Sequence, residues 1–90
     1  MYLGKKVSIV FPVYNEKENI RAAIEEFMRH PAVDEIIAVD NNSKDGSDKE
    51  IQLTSAKYVK EITQGYGAAL RRGMREATGD LIITCEPDGT

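Results

Sequence analysis

The chain has 90 residues, 41% of them hydrophobic and 30% charged, and its 12 Lys and Arg against 15 Asp and Glu give a formal net charge of −3. This length sets a ceiling of one domain with a modest core, because so short a chain buries only about 60–65% of the surface that it exposes when unfolded. The mildly acidic balance argues against a nucleic-acid partner, which would require a basic stripe.

The compartment is predicted from the apolar segments and the cysteine content. The longest apolar run, residues 7–13, is far shorter than the roughly 20 residues that cross a bilayer. No small-residue cleavage site follows it, and the single cysteine, Cys85, has no partner for an internal disulfide. We therefore expect a cytoplasmic protein.

The first strand and helix are predicted from hydrophobic spacing. Residues 7–11 (VSIVF) form a β-branched run closed by Pro12, which is typical of a strand buried on both faces of a parallel sheet. Asn15 followed by Glu18 has the spacing of a capping box, and Pro31 ends the helix that follows. The helix repeats apolar residues at helical spacing: Ile20, Ala23, Ile24, Phe27 and Met28.

The later elements follow the same alternation of strand and helix. In chain order we predict a strand over 35–39, a polar loop over 40–47, a short helix over 48–55, a strand over 57–62, a helix over 66–77 and a strand over 81–85. The last helix is expected to place Leu70, Met74 and Ala77 on one face, with Gly73 allowing close approach to a sheet. This rhythm predicts an α/β fold, a three-layer, Rossmann-like open parallel sheet of about four strands. Because the chain stops soon after its last strand, we expect residues 1–90 to be part of a larger domain.

Candidate functional residues are those that follow the strands, since ligands of open α/β sheets bind at the carboxyl ends of the strands. They are Pro12, Tyr14, Asn15 and Glu16 after the first strand, Asp40, Asn41 and Asn42 after the second, and Glu86 and Asp88 after the last. Three strand ends are thus expected to bring one ring and several carboxylates to a common rim.

Glu86 and Asp88 are separated by two positions on a turn, so both carboxylates could bind one hard cation such as Mg²⁺ or Mn²⁺. The alternative is a solvated acidic turn. We expect the pair to lie opposite Asp40 on a neighbouring strand, where the crowded negative charge favours a bound cation.

Two further candidates have structural alternatives. Tyr14 could stack on a nucleobase or simply pack against the protein. Asp40 could accept a hydrogen bond from a base N–H or close its own loop as an Asx turn. The Gly65-Tyr66-Gly67 segment allows the backbone to approach a ligand closely, although two glycines alone are a weak signal.

Three segments together resemble the amino-terminal half of family 2 glycosyltransferases. They are VSIVFPVYNEKENI, EIIAVDNNSKDGS and GYGAALRRGMREATGDLIITCEPDG, and they cover nearly the whole chain. The segment NEKENI is most similar to the branch that contains polyprenyl-phosphate and dolichyl-phosphate sugar synthases. The resemblance implies a GT-A fold and inverting transfer of a sugar from a nucleotide diphosphate donor to a lipid-phosphate or saccharide acceptor.

The resemblance also implies roles for individual residues. The base and ribose pocket would be lined by Pro12, Tyr14, Asn15 and Glu16, with Asp40 on the base and Gly65 and Gly67 bordering the nucleotide. Asp88 matches the last acid of the family's D-x-D motif, which holds the Mg²⁺ or Mn²⁺ ion, and Glu86 stands at the first. The sequence departs from the family in having Glu at 86, and in having Asn41 where many members have a second Asp.

The family's general base and acceptor pocket belong to the second half of its domain, so we expect residues 1–90 to bind the donor without turnover. Association with the cytoplasmic membrane face is a further expectation from the resemblance. The alternatives are a phosphate-accepting receiver domain and a structural module that forms a homodimer through an exposed sheet edge. The receiver would need an acidic pair after the first strand, where Pro12, Val13 and Tyr14 stand.

Overall fold

A computed structural model describes residues 1–87 and has one four-stranded sheet whose strands are all parallel, in the order β3-β2-β1-β4. The elements are β1 (Val7–Val13), α1 (Ile20–Met28), β2 (Glu35–Asp40), α2 (Ser47–Gln52), β3 (Lys57–Lys60), α3 (Tyr66–Glu76) and β4 (Leu81–Thr84). The predicted α/β parallel fold is therefore confirmed. In this part of the chain, no helix has the length and apolar character needed to cross a membrane.

Strand β1 is the centre of the sheet, and all seven of its residues are buried. It pairs with β2 on one side, where Ser8 is opposite Glu35, and with β4 on the other, where Ser8 is opposite Ile82. The chain adds β2 and β3 outward from one side of β1 and then returns to add β4 on the other side. The carboxyl ends of β1 and β4 thus form the point where the strand order reverses, which is where ligands bind in such sheets.

Helices cover both faces of the sheet, as the three-layer prediction requires. Residues of α1 and α2, among them Ile20, Ile24 and Ile51, pack with Phe11 on one face. Ala69 of α3 packs with Val10, Ile37 and Val39 on the other face. Successive residues of β1 thus enter different cores, because side chains alternate across a strand. This explains why the β1 sequence is continuously apolar instead of alternating.

Strand β1 is longer than predicted, because Pro12 lies inside it. The Val10 carbonyl accepts a hydrogen bond from the Cys85 amide, so Val10 faces β4. Pro12, two residues later, faces the same side but lies beyond the last β1–β4 pair, Val10 with Thr84. A missing N–H costs no ladder hydrogen bond at this position.

Helix α1 begins at Ile20, so the predicted capping box at Asn15 is wrong. Asn15 has a φ of +53°, and its side-chain oxygen accepts a hydrogen bond from the Lys44 amide at 2.9 Å. The side chain that would have capped the helix instead holds the loop after β2. The spacing of Asn15 and Glu18 could not indicate Lys44 as the partner of Asn15, because Lys44 is 29 positions away in the chain.

The predicted inner face of α3 is only partly correct: Ala77 packs against the core beneath the helix, as predicted, but Met74 does not. Ala69 and Gly73 are buried, whereas Met74 is 53% exposed. A Cβ at Gly73 would overlap the Val10 side chain and lie 3.2 Å from Cγ2 of Val39. The close approach predicted from Gly73 is therefore confirmed, and the smallest residues of the helix, not its largest, face the sheet.

Replacing Gly73 by Ala should lower the free energy of unfolding by about 1–2 kcal/mol, because overpacking outweighs the gain in helix propensity. The matched control is Gly67→Ala in the same helix, where a Cβ would come within 3.4 Å only of the flexible end of Arg71. That variant should be stabilised by about 0.5–1 kcal/mol. Urea unfolding followed by circular dichroism measures both changes, and equal changes in the two variants would contradict this packing.

Candidate functional site

A cleft of about 390 Å³ opens at the carboxyl edge of the sheet, between the ends of β1 and β4 and the start of α3. Its walls come from four segments of the chain and comprise Pro12, Val13, Tyr14, Glu16, Asn41, Gln64, Gly65, Tyr66, Ala69, Glu86 and Pro87. The cleft therefore coincides with the point where the strand order reverses. The convergence of the strand ends, expected from the sequence, is present in the structure.

Six of the predicted site residues line this cleft: Pro12, Tyr14, Glu16, Asn41, Gly65 and Glu86. Tyr14 is 51% exposed, so a planar ligand can reach its side chain. Pro12 lies just beyond the last pair of β1 and β4 and lines the crevice there. The arrangement offers a ring, a glycine backbone and carboxylates to one ligand.

Glu86 is joined to the opposite wall of the cleft by Tyr66. The Tyr66 hydroxyl donates a hydrogen bond to Oε1 of Glu86 at 2.7 Å. This bond to the carboxylate, with a smaller effect of burial, raises the pKa of Tyr66. The sequence pattern indicated the glycines on either side of Tyr66, but it did not predict the contact of the Tyr66 side chain with Glu86.

Asn15 does not line the cleft, because it belongs to a seam between the loop after β1 and the loop after β2. Backbone amides in the first loop donate to side chains of the second loop and of the first residue of α2: those of Asn15 to Ser43, of Lys17 to Asp45 and of Glu16 to Ser47. Burial raises the pKa of Asp45, but the hydrogen bonds from Ser47 and Lys17 outweigh burial and lower it below its ordinary value. The seam fixes the position of the chain that carries Tyr14 and Glu16.

Asp40 is buried and does not line the cleft. It is only 2% exposed; its Oδ1 accepts the Ser43 amide at 3.1 Å, and its Oδ2 accepts the Tyr58 hydroxyl at 3.4 Å. The first of these bonds closes the loop after β2 from within. The expectation that Asp40 lies on a strand next to that of Glu86 is wrong, because β1 separates β2 from β4. A contact between Asp40 and a nucleobase stays a prediction.

The buried Asn41 side chain fixes the segment between β3 and α3. Its amide nitrogen donates to the carbonyl oxygens of Glu61 at 3.0 Å and Thr63 at 2.8 Å, and its oxygen accepts the Gly65 amide at 2.9 Å. A carboxylate at this position has no N–H to donate to the two carbonyls. The departure from the family's second Asp thus has a structural basis here in loop anchoring.

The two predicted glycines differ in their environment. Gly65 has a φ of +132°, in a region that only glycine adopts readily, and a Cβ there would meet nothing within 4 Å, so its backbone faces open space. Gly67 is exposed in the first turn of α3 and does not line the cleft. Only Gly65 is therefore placed to bring the backbone close to a ligand in the cleft.

The predicted metal residue, Asp88, lies outside the described residues. Within residues 1–87, no group of three or more His, Cys, Asp or Glu side chains forms a metal site. The cleft does carry carboxylate oxygens from Glu16 and Glu86, which are the type of donor that Mg²⁺ and Mn²⁺ prefer. The chemistry of these donors fits a hard divalent cation at the end of β4.

The sequence of this chain is similar to those of known proteins. Residues 8–90 match the family model described as glycosyl transferase family 2. The chain is 36% identical to a dolichol-phosphate mannosyltransferase of Pyrococcus furiosus, with 92% of this chain and 26% of that protein covered. It is 38% identical to an undecaprenyl-phosphate 4-deoxy-4-formamido-L-arabinose transferase of Yersinia enterocolitica, with 93% and 29% covered.

A solved structure agrees with the sequence relatives. Glucosyl-3-phosphoglycerate synthase of Mycobacterium tuberculosis, crystallised with Mn²⁺ and UDP-glucose, superimposes with a TM-score of 0.82 at 26% identity, over 94% of this chain and 34% of that one. The sheet and its helices thus form the Rossmann-like part of a GT-A fold. This chain belongs to glycosyl transferase family 2 and spans between 26% and 29% of the two sequence relatives. The receiver-domain alternative is set aside.

Replacing Asn41 by Asp should lower the free energy of unfolding by about 2–4 kcal/mol. The substitution removes two N–H donors and places a buried carboxylate against the carbonyl oxygens of Glu61 and Thr63. The control is Asn19→Asp, the same chemical change at an exposed position, which should alter stability by less than about 0.5 kcal/mol. Equal stability of the two variants in urea unfolding would show that the Asn41 network does not hold the loop.

Proposed function

We propose that this chain is the donor-binding part of a glycosyltransferase that moves a sugar from a nucleotide diphosphate donor to an acceptor, with inversion. The observation that carries the proposal is the cleft at the end of β1 and β4, where Tyr14, Gly65 and Glu86 meet. A nucleoside diphosphate has a flat base, a polar sugar and a charged tail. The cleft offers a ring, an open backbone and an acidic end to these three parts.

Each wall of the cleft has a role in this proposal. Tyr14 stacks on the base, and Pro12 and Glu16 border the base and ribose. Gly65 allows the backbone to approach the nucleotide, because it has no side chain in a conformation that others avoid. Glu86 contacts the donor at the end of β4. The loops behind these residues are fixed by hydrogen bonds, so little ordering is left to occur on binding.

Asp88, with Glu86 beside it, would hold a Mg²⁺ or Mn²⁺ ion. When bound, such an ion offsets the negative charge that develops on the departing nucleoside diphosphate. Support comes from the mycobacterial synthase, whose structure was determined with both Mn²⁺ and UDP-glucose. Glu86 has one methylene more than the Asp of the family's motif, which changes the geometry of its carboxylate relative to the ion. The base that deprotonates the acceptor is expected from the second half of the family's domain.

A lipid phosphate is the acceptor that the sequence relatives favour. One relative is named for transfer to dolichol phosphate and the other for undecaprenyl phosphate, and both exceed 35% identity to this chain. An acceptor of this kind resides in a membrane, while nucleotide sugars are soluble. We therefore propose that the whole protein acts in the cytoplasm, at the membrane face.

We also propose that the chain can form a homodimer through an exposed sheet edge, and within residues 1–87 β4 is the candidate edge. Ile82 and Ile83 of β4 are 37% and 47% exposed, and the strand has no charged residue. The opposite edge, β3, begins and ends with lysine, a residue that discourages pairing of edges.

The proposal is tested by calorimetric titration of this chain with UDP and with GDP, each with Mn²⁺ and with EDTA. We expect one of the two nucleotides to bind, more tightly with Mn²⁺, and Glu86→Ala to weaken the Mn²⁺-dependent binding at least tenfold. Asp88→Ala should abolish the effect of Mn²⁺ on affinity.

The matched control is Glu26→Ala, which removes an exposed carboxylate from α1. It should bind as the unsubstituted chain does. If circular dichroism shows a folded chain and neither nucleotide binds in any condition, the donor-binding proposal is wrong.

A further inference from the structure

We propose that Tyr66 is a positioning residue that holds the Glu86 carboxylate in the orientation needed for the nucleotide and its cation. The inference rests on the proposed function and adds a residue that the family motifs did not assign. Tyr66 is the first residue of α3, and Glu86 lies two residues beyond the end of β4. One hydrogen bond therefore joins two walls of the cleft.

The contact has the geometry of a strong hydrogen bond. The distance of 2.7 Å between the Tyr66 hydroxyl oxygen and Oε1 of Glu86 falls in the range for hydroxyl donors to carboxylates. Within residues 1–87, the hydrogen bonds of Glu86 involve Oε1 alone, which leaves Oε2 for a ligand. The hydroxyl can thus orient the carboxylate without occupying both of its oxygens.

Glu86 needs such a restraint more than an aspartate would. A glutamate has one more rotatable bond, and fixing it costs side-chain entropy when a ligand binds. Glu86 also lies beyond Thr84, the last residue of the strand, so no ladder partner holds its backbone. A hydrogen bond formed before the ligand arrives removes part of that cost. The substitution of Glu for Asp and the presence of Tyr66 are thereby linked.

The backbone around Tyr66 is fixed by contacts of the residues near it in the chain. The amide of Gly65, its neighbour, donates to Oδ1 of the buried Asn41. Ala69, one turn further along α3, packs into the sheet core. Because Gly65 and Ala69 are both anchored, the backbone that carries the Tyr66 side chain is fixed in position. The support runs from Asn41 through Gly65 and Tyr66 to Glu86.

The test is Tyr66→Phe, which removes the hydroxyl oxygen and keeps the ring. We expect this variant to bind UDP or GDP, whichever the unsubstituted chain prefers, about five- to tenfold more weakly in the presence of Mn²⁺. Its unfolding midpoint in urea should be unchanged. The matched control is Tyr2→Phe, the same change at a similarly exposed tyrosine outside the cleft, which should leave affinity unchanged.

A double-mutant cycle separates positioning from direct contact with the nucleotide. If the hydroxyl acts through Glu86, then Tyr66→Phe should cause no further loss of affinity in a Glu86→Ala background. The same five- to tenfold loss in that background, or unchanged affinity of the single variant, would overturn the inference while leaving the proposed function intact. Absence of nucleotide binding by the unsubstituted, folded chain would overturn both.

Discussion

The burial of β1 is the constraint on which the rest of this structure depends. All seven residues of the strand are buried, it pairs with a neighbour on each side, and its side chains enter the cores on both faces. Helices on both sides must therefore pack against one strand, and the return of the chain to β4 creates the crevice at its carboxyl end. The position of the cleft is thus a consequence of how the core is built.

The polar residues around the cleft divide into two groups. Asn15, Asp40 and Asn41 direct their side chains to backbone groups of the loops. Tyr14 and Glu86 keep accessible groups for a ligand. The hydrogen bonds of the first group fix the conformation of the loops. A loop with unpaired backbone amides would be less stable and more mobile. Rigid loops in turn let a few exposed groups define a binding site.

Much of the fold could be predicted from the sequence, because strands and helices have local periodicity. The apolar run of β1 and the helical spacing after Ile20 identified both elements, and Gly73 was correctly expected at a close contact. One error concerns a partner that is distant in the chain. Asn15 looked like a helix cap because its true partner, the Lys44 amide, is 29 residues away. Met74 was wrongly assigned to the inner face of α3, because the sequence pattern favoured a large apolar residue where the small residues Ala69 and Gly73 pack.

The location of the candidate site could be predicted from the sequence, but its long-range contacts could not. The rule that ligands bind at the carboxyl ends of strands placed Pro12, Tyr14 and Glu86 together. No local pattern could show that β1 separates Asp40 from Glu86, because strand order is a property of the whole sheet. The Tyr66 contact was likewise hidden, since it joins residues 20 positions apart.

The central claim is that the cleft between β1, β4 and α3 binds the nucleotide of the donor. The most direct test is a titration of the ¹⁵N-labelled chain with UDP and GDP in the presence of Mg²⁺, followed by two-dimensional NMR. We predict that the amide signals that shift will cluster at Tyr14, Glu16, Gly65, Tyr66 and Glu86. Shifts centred on the outer face of α3, at Arg71 and Arg75, or an unchanged spectrum of the folded chain, would contradict the claim.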